Sequence, residues 1–302
     1  MNERPDATGG NPVVFTKDLG RLQQQQSILP PATNADGLPI VQLTQEQKYE
    51  FDLRGWLLVP SVLSDSEIAE MRAFCIRLRD NPESIPEDHR TTYGGPLENL
   101  MDHPVVVGFA NEFIAAPNLA TESCYGFRME MSFPAFRSVR DDPPFEFSPH
   151  NGNGMFRLPG DCHTYDCIPG KVQCGLTRVV WELNPVEETD GATLFISGSH
   201  KAAFTAPNSA TGLDSPLWDR YSCPAGSVIF FTEALTHSGQ PWTNPDYDRM
   251  AIFNAYNAVN IRWSMSRPRP GHLDTLPPKR RSLFREAYTK GNVTEGAGRR
   301  GI

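Results

Sequence analysis

From Tyr125 onward the chain breaks into short apolar runs, and no other feature narrows its fold so far. Phe127, Met129, Met131 and Phe133 alternate with Arg128, Glu130 and Ser132, the two-residue period of a half-buried strand. Further runs follow at 171–174, 176–183, 192–196, 227–231 and 249–258, split by Gly, Pro and Asn turns. Upstream the pattern is helical. Residues 43–49 read as a short helix with Thr44 as N-cap, and 55–60 as a strand closed by Pro60. Ser64 and Glu67 form a capping box ahead of Ile68, Met71, Phe74, Cys75 and Leu78, the apolar stripe of an amphipathic helix. A second helix spans 104–114 and ends near Pro117. Helices first and short strands afterwards predict a helical layer packed on a β-sandwich or barrel.

The fold class expected is therefore mainly β with flanking helices. The boundaries assigned are a mobile arm over 1–40, one β domain over 41–275 and a basic C-terminal helix or tail over 276–302. The arm is rich in Pro, Gly, Asn and Gln, with a Gln run at 23–26. The terminal helix is placed at 278–290, and 262–271 reads as irregular.

Several partner classes are excluded on composition. Net charge is −8, but the segment from Arg262 onward carries ten Lys/Arg against three Asp/Glu, a local +7 that leaves −15 elsewhere. So acidic a body argues against a nucleic-acid polymer as partner. The basic tail reads as docked on that acidic surface, or as a cover for an anionic substrate. No apolar run approaches the roughly 18 residues of a membrane span. The first ten residues lack the basic-then-apolar pattern of a signal peptide, so a cytoplasmic protein is expected. Six cysteines without a C-x-x-C pair read as free thiols.

Chemistry concentrates in two places. One is Pro149-His150-Asn151-Gly152-Asn153-Gly154, and the other is Thr236-His237-Ser238-Gly239, with Arg249 twelve residues past its histidine. Non-heme iron sites use two histidines and a carboxylate on one face and leave the other face open. His150 and His237 are read as the two histidine ligands of one Fe(II). Arg249 is read as a bidentate clamp for the far carboxylate of an organic co-substrate.

The chain resembles the phytanoyl-CoA dioxygenase-like branch of the Fe(II)/2-oxoglutarate-dependent enzymes. The carrying residues are Phe51-Asp52-Leu53-Arg54-Gly55-Trp56 with Val59-Pro60, then Gly191 followed by Ile196-Ser197-Gly198-Ser199-His200-Lys201, then Gly226-Ser227-Val228-Ile229-Phe230-Phe231 leading to His237. The resemblance covers roughly 45–260. It implies a double-stranded β-helix, or jelly roll, in a single domain. It maps the metal positions onto His150 and His237 and the keto-acid arginine onto Arg249, with Fe(II), 2-oxoglutarate and O₂ as cofactors.

In one respect the chain departs from the family. Where the usual first motif is His-x-Asp, it has His150-Asn151-Gly152, so glycine stands at the carboxylate position. In the related halogenases, loss of that carboxylate leaves a site for chloride, and the substrate radical then takes chlorine rather than hydroxyl. The leading expectation is thus a halogenase in specialised metabolism with a chloride site beside Gly152. Its substrate would be a free small molecule, since the chain contains no carrier-protein domain. The alternative is a hydroxylase whose carboxylate is absent or displaced, with Glu146, Asp161 and Asp166 as candidates. A third reading is a jelly-roll binding protein that has lost its chemistry.

Other residues receive plainer readings. His200 is structural; His163 either lines the pocket or lies in a surface loop; His89, His103 and His272 are exposed or at helix ends. Trp181 belongs to the core. Gln240, Trp242 and Thr243 either border the keto-acid pocket or shape a turn. Arg128, Arg137, Arg140, Arg157 and Arg178 lie on or beside the strands, and two or three of them converging would suit an anionic substrate such as a nucleotide.

Overall fold

Helix α1, Gln45–Arg54, opens with Thr44 accepting from the Gln47 amide while the Gln47 side chain returns to Thr44 N. A computed structural model describes this and the other elements over residues 31–116, 119–152, 162–168 and 171–287. The helix runs past the predicted 49 because Phe51 continues its buried face, and it stops where Gly55 turns left-handed at φ 82°. Any side chain at 55 would meet His200 Nδ1 at 2.5 Å. Strand β1, Trp56–Val59, follows, then α2, Asp65–Asp80, with the expected Ser64–Glu67 capping box. It buries Ile68, Met71, Phe74 and Cys75 and half-buries Leu78. Helix α3 is Pro104–Phe113, and the His103 ring caps it by accepting from Val105 N at 3.4 Å.

The remaining strands are β2 (Phe127–Arg137), β3 (Tyr165–Ile168), β4 (Lys171–Cys174), β5 (Thr177–Glu182), β6 (Leu194–Phe195), β7 (Ser227–Thr232), β8 (His237–Ser238) and β9 (Arg249–Ala258). Among the described residues, five form a main sheet in the order β1-β7-β5-β9-β2, every pair antiparallel. Strand β6 pairs with β8, and single bridges join His150 to His237 and Phe195 to Asp219, so a narrower second layer faces the first. Strands β3 and β4 form a separate hairpin.

The main sheet buries both faces. On one, Leu57, Val179, Trp181, Phe230 and Ile252 join Met71, Phe74 and Phe109 of the helices. Phe109 stacks on Phe230 at 4.3 Å. Truncating so enclosed a ring costs about 3–5 kcal/mol. On the other face Trp56, Val180, Ile229, Phe231 and Phe253 meet Phe195 of the second layer. This inner space is the interior of a jelly roll. Trp181 is core, as expected.

The alternation along β2 does not hold to one face. A bulge between Met129 and Met131 shifts the register against β9. Phe127 and Met129 therefore pack with the helices, while Phe133 and Ala135 turn to the interior. Glu130, at the bulge, is fully buried and accepts from the amides of Trp263 at 2.8 Å and Ser264 at 2.7 Å.

The one-turn helix α4, Asn208–Thr211, lies between β6 and β7. After β9 come α5, Pro270–Thr275, and α6, Pro278–Arg281, continued by a 3-10 turn at Ser282–Phe284. The basic terminal segment is thus built in rather than laid on. Arg280 is buried with Asp36, Glu98 and Asp102 as ion-pair partners, and the expected helix beyond 287 lies outside the described residues. His272, expected at the surface or a helix end, sits in α5 but is buried, with Nε2 3.1 Å from Tyr93 O. Among the described residues, which include all six cysteines, no disulfide forms. Among the described residues no helix is long and apolar enough to cross a membrane.

Candidate active site

His150 and His237 meet because their backbones pair. Each amide donates to the other's carbonyl at 3.1 Å, and their rings lie 4.2 Å apart between centroids. His237 is buried and His150 exposed, so the pair runs from the dry interior to an open side. Nδ1 of His150 lies 2.7 Å from Ser148 O, and Nδ1 of His237 lies 2.8 Å from Leu235 O. A carbonyl only accepts, so in each neutral ring Nδ1 carries the proton and Nε2 keeps its lone pair. That is the tautomer a metal ligand needs. Burial pushes the His237 ring down to about 4, which keeps it neutral at physiological pH.

A carboxylate absent from the expected set stands beside this pair. Glu233 follows β7 directly and is 3% exposed, with Oε2 3.7 Å from His237 Nε2. The Asn151 amide donates to Oε2 at 2.5 Å, and Arg178 forms an ion pair with Oε1. Burial works to raise the Glu233 carboxyl, but the charge and hydrogen bond of Arg178 beside it help to hold it below the usual carboxylate range. Among the described residues, no group of three or more His, Cys, Asp or Glu side chains is already arranged to hold a metal ion. The sequence did hold a signal for this residue: one acid at the end of an apolar strand, four residues before the second histidine.

Glu146 is exposed, Asp166 is exposed on the β3–β4 hairpin, and Asp161 lies outside the described residues. At Gly152, the expected carboxylate position, the structure leaves no room for a side chain. Its φ is +63°, and a Cβ there would meet Thr236 N and Oγ1 at 2.6 Å and Ala234 O at 2.8 Å. Asn151 is also left-handed at φ 60°, and its carbonyl accepts from Thr236 Oγ1 at 2.8 Å. The chain turns away immediately after His150 and packs on the segment that carries His237. Glycine is there because the backbone of that segment fills the space.

Arg249 is fully buried at the start of β9. It is ion-paired with Glu182, and Nη2 also reaches Tyr221 Oη at 3.2 Å and Thr193 Oγ1 at 3.4 Å. Its Nη1 has no partner. A buried donor without an acceptor costs about 1–3 kcal/mol, so this nitrogen suits the carboxylate of a keto acid entering the roll. Arg137 lies opposite Arg249 in the β2–β9 register and stacks on Phe145 at 3.5 Å. Burial and the neighbouring Arg249 push its guanidinium down to about 10.

The Ser197-Gly198-Ser199-His200-Lys201 stretch fastens the site. Ser199 Oγ accepts from Thr236 N at 2.8 Å, one residue before the second histidine. Ser197 Oγ accepts from Trp56 Nε1 at 2.9 Å, and Gly198 N donates to Arg54 O at 3.0 Å. His200 Nε2 lies 3.1 Å from Asp52 O, so its role is structural, as expected. Gln240, Trp242 and Thr243 bond to Ala192 O, Tyr247 O and Thr189 O and shape turns.

Of the expected arginines, Arg137 lies beside Arg249. Arg178 and Arg249 are engaged by Glu233 and Glu182, Arg128 pairs with Glu130, and Arg140 is exposed. Arg157 lies outside the described residues. His163 is half-buried, 6.3 Å from the Trp263 ring, and Arg178 lies over that ring at 5.2 Å.

The family model for phytanoyl-CoA dioxygenase (PhyH) matches residues 51–251, from α1 into β9. The chain belongs to the PhyH family. PhyH proteins are Fe(II)/2-oxoglutarate-dependent oxygenases. "Dioxygenase af480" of Aspergillus fumigatus is 22% identical over 90% of this chain and 88% of its own. Among solved structures, HygX from Streptomyces hygroscopicus with nickel and 2-oxoglutarate superposes with a TM-score of 0.56. It is 21% identical and covers 73% of this PhyH chain and 88% of its own. SnoK, a non-heme α-ketoglutarate-dependent carbocyclase from nogalamycin biosynthesis, gives 0.51 at 19% identity, over 82% and 95%. At such identities the likeness is one of fold.

Proposed function

We propose that this PhyH chain oxygenates a C–H bond of a free small molecule. His150 and His237 would hold the iron and Arg249 the 2-oxoglutarate. The observation that carries this reading is the paired histidines, each with Nδ1 tied to a carbonyl and Nε2 left to bind. When bound, the iron couples keto-acid decarboxylation to activation of O₂. The protein's own part is orientation and exclusion of water. Arg249 presents Nη1, with Glu182 fixing its other edge. Phe133, Phe231 and Phe253 keep the interior apolar.

Oxygenation is favoured over halogenation because a carboxylate, Glu233, stands 3.7 Å from His237 Nε2. Neither that geometry nor the relatives support chloride as a cofactor. A nucleotide substrate also lacks support, since the interior arginines are already matched by carboxylates.

The test is turnover of 2-oxoglutarate by the iron-loaded protein in air, first alone and then with a panel of small molecules, with and without chloride and bromide. Succinate formation and products gaining oxygen at every halide concentration are expected. A halogenated product would overturn the preference for oxygenation. Absence of 2-oxoglutarate consumption under every condition would overturn the enzyme reading.

A further inference from the structure

We infer that Glu233 is the third protein ligand of the metal, supplied from the end of β7 in place of the acid missing after His150. This rests on the iron reading above and adds the residue that completes the coordination set.

Geometry is the first argument. Two donors sharing one metal at about 2.0–2.2 Å each lie at most about 4.4 Å apart. Glu233 Oε2 and His237 Nε2 are 3.7 Å apart, inside that limit. The second argument is orientation. Nδ1 of His237 donates to Leu235 O, so Nε2 is the nitrogen turned to Glu233, and both side chains are buried.

The surroundings fit the same role. Arg178 holds Oε1 and leaves Oε2 toward the histidines. The group now on Oε2 is the neutral amide of Asn151, which a divalent cation can displace. That amide belongs to the left-handed pair Asn151-Gly152, so the turn that excludes an acid at 152 also brings the His150 segment against Glu233. A carboxylate lost from one strand is thereby matched by one gained on another.

The test is Co(II) binding by the full-length apoprotein without oxygen, followed by calorimetry and visible absorption. Wild type, Glu233→Gln, the double variant Glu233→Gln with Arg178→Met, and His237→Ala are compared. The double variant removes both buried charges, so it remains informative if Glu233→Gln alone misfolds. Loss of a residue that only supports a ligand costs about 10–100-fold in affinity. Both Glu233 variants are expected to lose at least that much and to show an altered Co(II) spectrum. Wild-type affinity and spectrum in either folded Glu233 variant, with binding lost in His237→Ala, would overturn the assignment while leaving the two-histidine site intact. No Co(II) binding by wild type would instead overturn the iron reading beneath it.

Discussion

His150 and His237, far apart in the chain, exchange a reciprocal pair of backbone hydrogen bonds of 3.1 Å. The proposed metal site is therefore a property of strand pairing, and whatever loosens that pairing would loosen it. The segments on both sides are fastened separately: Ser148 N donates to Ser238 Oγ at 3.0 Å, and Thr236 N to Ser199 Oγ at 2.8 Å.

Ser199→Ala tests that fastening. It leaves the buried Thr236 amide without an acceptor, at a cost of about 1–3 kcal/mol. Denaturant unfolding is expected to show that loss. Calorimetry on the folded variant is expected to show weaker metal binding, although Ser199 is not a ligand. Unchanged metal affinity would mean that the motif holds only the fold.

Gly152→Asp tests the carboxylate position directly. Left-handed backbone costs a residue with a Cβ about 1–2 kcal/mol, and overpacking against Thr236 adds about 1–3 kcal/mol. A lower melting temperature and no gain in metal affinity are expected. A tighter-binding, equally stable variant would show the corner to be open after all.

Arg249 and Glu182 are separable by a double variant. Arg249→Met alone leaves Glu182 buried without its partner, a loss of about 3–5 kcal/mol. Adding Glu182→Met is expected to recover most of the stability but none of the affinity for 2-oxoglutarate. Recovery of a wild-type KM for 2-oxoglutarate in the double variant would remove Arg249 from the co-substrate site.

The apoprotein is expected to lose stability in mild acid. Burial holds the His103 ring below its ordinary 6.5, with Glu67 opposing in part. The unfolded chain then binds more protons than the folded one as pH falls below about 6.5. The His103 contribution is whole above that pH and declines toward the lower folded value. His103→Asn keeps a capping oxygen for α3 and cannot titrate. Its unfolding free energy is expected to fall less steeply than wild type below pH 6.5. Equal slopes would place the acid sensitivity elsewhere.

Much of this was already legible in the residues. The N-cap at Thr44, the capping box at Ser64, the stripe from Ile68 to Leu78, and the limits of β9 all depend on neighbours in the chain, so local pattern suffices to read them. His150, His237 and Arg249 were also visible, because few other residue types do that chemistry. The bulge at Glu130 was not, since its cause is two amides more than a hundred residues away, at Trp263 and Ser264.

What the chain alone determined, then, is its alternation of apolar and polar residues, and with it a layered β fold carrying two histidines and an arginine. Which acid stands beside those histidines, and why glycine follows the first of them, was decided only when distant strands came together. A carboxylate becomes a neighbour of an imidazole through pairing across a sheet, and the room left for a side chain depends on what packs against it. Neither quantity is written in the order of the residues.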